Sequence, residues 1–180
     1  MKAVVVYESM YGNTHHIASA IADGLSEHGE VTVVPVHEAG ADVVRNIDLV
    51  VVGGPTHAHG MSRPSTRTGA VTAAEKPGSD LTLDADPDDY GVGLREWFDA
   101  LDDVFTNAAA FDTRADMPAA LSGRASKGIA RRLSRHGAIL VAEPESFFVT
   151  KANELEPHEA ERARDWGRQI GAAAVQSVRS

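Results

Sequence analysis

The segment Ala3-Val4-Val5-Val6-Tyr7-Glu8-Ser9-Met10-Tyr11-Gly12-Asn13-Thr14 holds the architecture in miniature. Residues 3–7 are apolar at every position, which is the pattern of a strand covered on both faces in a parallel sheet. A polar turn with Gly12 and Asn13 follows. Ile17, Ala18, Ile21, Ala22 and Leu25 then lie on one helical stripe that closes at Gly29. The same alternation continues outward from this unit. Val31–Val36 reads as a second strand, and residues 41–45 as a short helix. Leu49–Val52 reads as a third strand ending in Gly53-Gly54-Pro55.

Beyond it, residues 62–91 are rich in Ser, Thr, Pro, Gly and Asp and read as one long irregular surface loop. A helix is expected with Leu94, Trp97, Phe98, Leu101 and Phe105 inward, then a short strand at Ala108–Phe111 ending at Asp112. Residues 125–136 form a helical pattern with Ile129, Ala130 and Leu133 inward. Ala138–Val141 and Phe147–Val149 read as one last strand interrupted by Glu143-Pro144-Glu145. A final helix carries Pro157 in its first turn and the stripe Ala160, Ala163, Trp166, Ile170 and Ala173. Strand and helix alternate five times, so the expected class is α/β: a doubly wound parallel sheet with helices on both faces. Without a repeat or a separating linker, residues 1–180 read as a single domain.

Composition bounds the chemistry. The chain has 180 residues, 43% hydrophobic and 24% charged, with 17 Lys and Arg against 26 Asp and Glu for a formal charge of −9. The absence of cysteine excludes disulfides, thiolate catalysis and cysteine-ligated metal clusters. The acidic balance argues against nucleic acid as a partner. No apolar run reaches the length of a membrane span, and Met1–Ser9 is apolar for too few residues to be a signal peptide, so a cytoplasmic protein is expected.

Ligands of such sheets bind beyond the carboxyl ends of the strands. The first such loop supplies hydroxyls at Ser9 and Thr14, an amide at Asn13 and a flexible Gly12, and runs straight into a helix. Orphan amides and the helix dipole favour a phosphate there. With no Lys or Arg in the loop, it is neither a Walker loop nor a G-x-G-x-x-G dinucleotide turn. The competing reading is a Ser/Asn/Thr helix cap without a ligand.

Strand, Ser-x-x-Gly-Asn-Thr, then helix resembles the FMN phosphate loop of the flavodoxin family. The form Tyr7–Thr14 is most similar to the branch of quinone reductases and the flavodoxin domains of larger oxidases. The second loop, Gly53-Gly54-Pro55-Thr56-His57, agrees with it. The resemblance implies a flavodoxin-like five-stranded sheet in the order 2-1-3-4-5 and non-covalent FMN. Its phosphate would lie on Ser9, Met10, Tyr11, Gly12, Asn13 and Thr14. Its ring would sit between Pro55, Thr56, His57, Ala58, His59 and Gly60 on one side and Asp112, Thr113 and Arg114 on the other.

The chain departs from the pattern in its third loop, Asp112–Pro118, which has no aromatic residue to stack on a flavin; Tyr11 and Tyr90 are the candidates to compensate. Arg114 facing the ring would stabilise a reduced, anionic flavin. His57 and His59, with His15 or His16, offer metal ligands on one sheet edge. No carboxylate stands at a ligand spacing beside them, so a polar role at the flavin edge is expected and no metal. Asp84–Asp89 has a calcium-loop flavour but carries Asp89 and Arg95 where Gly and Glu are required. With Glu96, Asp99, Asp102 and Asp103 it reads as an acidic face able to steer a basic electron-transfer partner. Arg63 and Arg67 read as solvated, and Arg131, Arg132 and Arg135 as an exposed helix face.

The function expected is FMN-dependent electron transfer, as a carrier or a small oxidoreductase, with no side chain acting as a covalent catalyst. A redox protein or a small acceptor such as a quinone would be the partner, and a homodimer is compatible with it. The alternative is a flavodoxin-like domain without FMN that serves as an interaction or regulatory module.

Overall fold

A computed structural model describes residues 1–102 and 107–178. Strands β1 (Lys2–Tyr7), β2 (Glu30–Pro35), β3 (Leu49–His57) and β5 (Asn107–Ala115) pair in parallel in the order β2-β1-β3-β5. The fifth position is shared. β6 (Ile139–Leu140) pairs the start of β5, and β7 (Glu145–Val149) pairs its end, from Phe111↔Glu145 to Ala115↔Val149. Pro144, which has no N–H to give to a ladder, stands in the gap. The 2-1-3-4-5 order therefore holds, with its last strand broken where the sequence has Glu143-Pro144. A two-residue strand β4 (Gly60–Met61) folds back on β3 as a hairpin.

The period-two geometry of β1 sends its side chains to two cores. Val4 and Val6 join Val50, Val52, Ala108 and Ala110 under α3 (Leu94–Asp99) and α5 (Ala125–Arg135), where Trp97, Phe98, Ile129 and Leu133 are buried. Ala3, Val5 and Tyr7 join Val51, Ala109 and Phe111 under α1 (Asn13–Leu25) and α6 (Glu159–Val178), against Ile17, Ile21, Trp166 and Ile170. Both tryptophans are core residues, as their spacing predicts.

The structure departs from the sequence reading in several places. Residues 41–46 are turns, which bury Val44 without a helix. The inward stripe of α6 is Ala163, Trp166, Ile170 and Ala174, while Ala160 is exposed. α3 ends at Asp99, and Phe105 and Asp103 fall outside the described residues. The largest correction concerns residues 62–91. They contain α2 (Pro64–Ala74), which starts on a proline and has the Thr66 hydroxyl accepting from the Arg63 N–H at 2.9 Å. They end in a 3-10 turn at Pro87–Gly91. Pro64 sits at the first helical position, where its missing N–H costs nothing, so its turn-forming composition is compatible with a helix.

Arg67 is likewise not solvated: it is 1% exposed. Its Nε donates to the Tyr90 carbonyl at 2.8 Å, Nη1 to Ser62 Oγ at 3.1 Å, and Nη2 to Glu96 Oε2 at 2.9 Å and the Gly91 carbonyl at 3.2 Å. Those bonds satisfy a guanidinium that would otherwise be too costly to bury. Arg63 is exposed, as expected.

Candidate functional site

After β1, the Glu8 amide continues the ladder to the Gly53 carbonyl at 2.9 Å. The chain then bends through Ser9–Gly12. Gly12 is the N-cap of α1 in the left-handed region at φ 90°, a conformation that glycine adopts without a Cβ penalty. No side chain caps this helix. Ser9 Oγ accepts from the Gly12 amide at 3.1 Å instead. Asn13 Nδ2 donates to the Asn153 carbonyl at 2.8 Å, and the Thr14 and Thr113 hydroxyls lie 2.7 Å apart. The plain helix-cap reading of Ser9, Asn13 and Thr14 therefore fails. The side chains are engaged elsewhere, and no side chain caps the first amides of the helix, where the positive end of its dipole lies.

Pro55, Thr56 and His57 form the end of β3 rather than a loop. Ala58 and His59 make the turn of the β3–β4 hairpin, both with positive φ, at 44° and 72°. That is the backbone of a type I′ turn, here without glycine. Thr56 Oγ1 accepts from the Ala125 amide at 2.9 Å and so ties the hairpin to the start of α5. Burial, aided by the Arg67 charge, pushes the His57 pKa down, so the ring is neutral at pH 7.

Asp112, Thr113 and Arg114 also belong to a strand, β5, which is longer than the sequence suggests. Asp112 is fully buried and turns to α5, where Oδ2 accepts from the Ser126 amide at 2.7 Å. The Arg114 guanidinium lies over the Phe148 ring, 4.7 Å from its centroid, and Nη1 donates to the Met117 carbonyl and Ser122 Oγ.

These elements enclose a cavity of about 130 Å³. Ser9, Met10, Tyr11, Asn13 and Thr14 line one side, and Pro55, Thr56, His57, Thr113 and Arg114 the other. Gly12, Ala58, His59, Gly60 and Asp112, expected at the site, do not line it. Ala115, Val149 and Asn153 do. The turn signal around Asn153, which has φ 60°, was the one available hint of the last of these. Tyr90 is not among the lining residues: it is buried in a small cluster with Met10 and Ala70. Among the described residues no three His, Asp or Glu side chains gather as metal ligands. His15 stacks on Tyr7 at 4.6 Å and meets Asp84 Oδ1 at 3.2 Å.

A larger cavity, about 560 Å³, opens beside the ends of β1 and β2 and holds Glu8, Glu38, Asp84, Asp86 and Asp89. Its negative field joins burial in pushing the Tyr7 pKa up to about 12, with Asp84 and Glu38 contributing. A dianionic phosphate would be repelled there, so the smaller cavity, on the open helix terminus, is the chemically suited one.

The flavodoxin family model matches residues 5–80. No curated protein sequence matches the chain. Among solved structures, a flavodoxin from the domain Archaea superposes with a TM-score of 0.62 at 18% identity, covering 97% of this chain and 99% of its own. Oxidised flavodoxin 1 from Bacillus cereus gives 0.62 at 22%, covering 94% and 97%. The flavodiiron protein from Giardia intestinalis gives 0.61 at 22%, where 97% of this chain corresponds to 36% of that one.

Proposed function

We propose that this chain, which matches the flavodoxin family model over residues 5–80 and shares the fold of flavodoxins, carries electrons on FMN held at the carboxyl edge of β1, β3 and β5. The observation that carries this reading is the uncapped start of α1, which faces a cavity rimmed by Thr14, Thr56 and Thr113. Neutral donors suit a dianionic ester, because main-chain amides and hydroxyls hold the charge without adding one of their own. FMN supplies a ring that accepts and returns one or two electrons; the protein supplies position, dielectric and hydrogen bonds.

In this reading the amides of Asn13 and Thr14 grip the phosphate, with Ser9, Met10, Tyr11 and Gly12 shaping the turn. The ring lies toward Pro55, Thr56, His57 and the Ala58-His59-Gly60 turn, with Thr113 and Arg114 opposite. The backbone of Thr56–Gly60 would offer hydrogen-bond groups to the ring near N5. His57, neutral at pH 7, adds no charge to the reduced ring, which leaves Arg114 the nearest cation. Arg114 is held by Met117 and Ser122, so it acts as a fixed charge. The acceptor is a redox protein or a small molecule such as a quinone, reached in the cytoplasm by a monomer or homodimer. The carboxylates Asp84, Asp86, Asp88 and Asp89 steer a basic partner.

Purified protein that is yellow, releases FMN on heating and rebinds it with fluorescence quenching supports the assignment. A colourless protein that takes up no added FMN overturns it in favour of an interaction module. Screening NADH, NADPH and quinones against the loaded protein then separates a reductase from a carrier.

A further inference from the structure

Residues 62–91 pack against the first loop and hold one of its carbonyls with two hydrogen bonds. The Met10 carbonyl accepts from the Asp84 amide at 2.9 Å and from the Tyr90 hydroxyl at 3.1 Å. The same hydroxyl accepts from the Ala85 amide at 2.9 Å, so its donor direction is fixed. A second tie runs from the Tyr11 hydroxyl to the Ala70 carbonyl, 2.9 Å. Met10, 2% exposed, packs with Ala70 and Tyr90 in a small core of its own. Buried Arg67, donating to the Tyr90 carbonyl, anchors the far end of the segment.

A trans peptide unit points its C=O and the following N–H in opposite directions. Pinning the Met10 carbonyl toward residues 84–90 therefore turns the Tyr11 N–H away from them. Tyr11, with Ser9, Met10, Asn13 and Thr14, lines the small cavity. We infer that the 62–91 segment is a clamp that presets the amides of the phosphate loop, with Tyr90 as its positioning residue. The inference rests on the reading of the small cavity as an FMN phosphate site, and it gives the segment a role in that site. It also accounts for the chemistry of the segment, which spends a buried arginine and a buried tyrosine hydroxyl on main-chain carbonyls around one loop.

Tyr90→Phe tests it, because the ring stays in the Met10–Ala70 core while the bridging hydroxyl goes. Two measurements are made on the full chain. In ligand-free protein, hydrogen exchange at the Gly12 and Asp84 amides, which donate to Ser9 Oγ and the Met10 carbonyl, is expected to speed up about tenfold, the size of one lost hydrogen bond. In titrations, FMN affinity is expected to fall about tenfold and riboflavin affinity by less than twofold, because riboflavin has no phosphate for the loop to hold. Unchanged exchange overturns the clamp. Equal losses for FMN and riboflavin overturn the positioning role and leave Tyr90 a packing residue. Failure of wild-type protein to bind either flavin sinks the FMN reading itself. The exchange result then still judges the clamp.

Discussion

The hydroxyls of Thr14 and Thr113 lie 2.7 Å apart and join the first turn of α1 to the end of β5 across the candidate site. Both residues are almost fully buried, at 2% and 4% exposure. Each hydroxyl has one proton, so one donates to the other and the second remains free to donate into the cavity. Replacing either by valine strands its neighbour. Thr14→Val and Thr113→Val should each cost about 1–3 kcal/mol of stability. The double variant should cost less than the sum, because one broken pair accounts for both losses. If Thr14 is the residue that touches the phosphate, Thr14→Val weakens FMN binding more than Thr113→Val. Thermal melts of apoprotein and fluorescence-quenching titrations check the two halves separately.

Glu8 carries a pH signature. It is 4% exposed, Oε2 accepts from the Leu94 amide at 2.8 Å, and Oε1 has no hydrogen-bond partner among the described residues. Burial raises its pKa, and Ser62, Leu94 and Arg67 offset only part of that. A carboxyl whose folded pKa lies above its unfolded one favours folding at low pH through its protonated form. That contribution is whole below the unfolded value of 4.5 and is lost as pH rises through the folded value. Glu8→Gln keeps an acceptor for Leu94 and has no charge to bury. It should therefore gain on wild type as melts move up from pH 4.5 through the folded value. A difference in Tm that stays flat across that range contradicts the burial argument.

Arg67 gives the sharpest stability prediction. Its guanidinium makes bonds that a single ammonium cannot reproduce, since they diverge to Tyr90, Gly91, Ser62 and Glu96. Arg67→Met leaves those acceptors buried or half-buried and takes a neutralising charge from Glu8. A loss of about 3–5 kcal/mol is expected in denaturant unfolding, and Arg67→Lys should recover less than half of it. Hydrogen exchange should report the loosening first in residues 84–91.

The parts of the molecule that were legible in sequence are those set by local pattern. The apolar runs Val4–Val6 and Leu49–Val52, the stripe Ile17–Leu25, and the Gly12–Thr14 turn each act over a few residues, and each stands where it was expected. What was misread depends on distant partners. The sequence Pro64–Ala74 looks like a loop until Arg67 is seen to satisfy the Tyr90 and Gly91 carbonyls. Asp112–Arg114 looks like a loop until β7 is seen to pair with it, from Asp112↔Ser146 to Arg114↔Phe148. Asn153 reaches the site only because the fold brings the turn after β7 against Asn13. None of these pairings leaves a periodic trace, because the two members lie tens of residues apart.

The hairpin at Ala58-His59 is the element most exposed to backbone change, and Gly123 is its support. Two left-handed residues without glycine hold a turn that would cost about 1–2 kcal/mol apiece in isolation. They persist because neighbours fix them: His59 forms a bridge with Gly123, and Thr56 accepts from Ala125. Gly123 has φ 77°, and a Cβ there would fall 2.2 Å from the His59 carbonyl oxygen and 2.3 Å from its Cα. These are backbone atoms that cannot swing aside. Gly123→Ala should thus displace the hairpin as well as pay the left-handed penalty, lowering stability by about 2 kcal/mol. It should also weaken the ring end of the ligand more than the phosphate end. FMN and riboflavin affinities should therefore fall by the same factor in Gly123→Ala, the opposite of the split expected when the phosphate loop is loosened. Retention of wild-type affinity for both flavins would place the ring away from the Ala58-His59 turn.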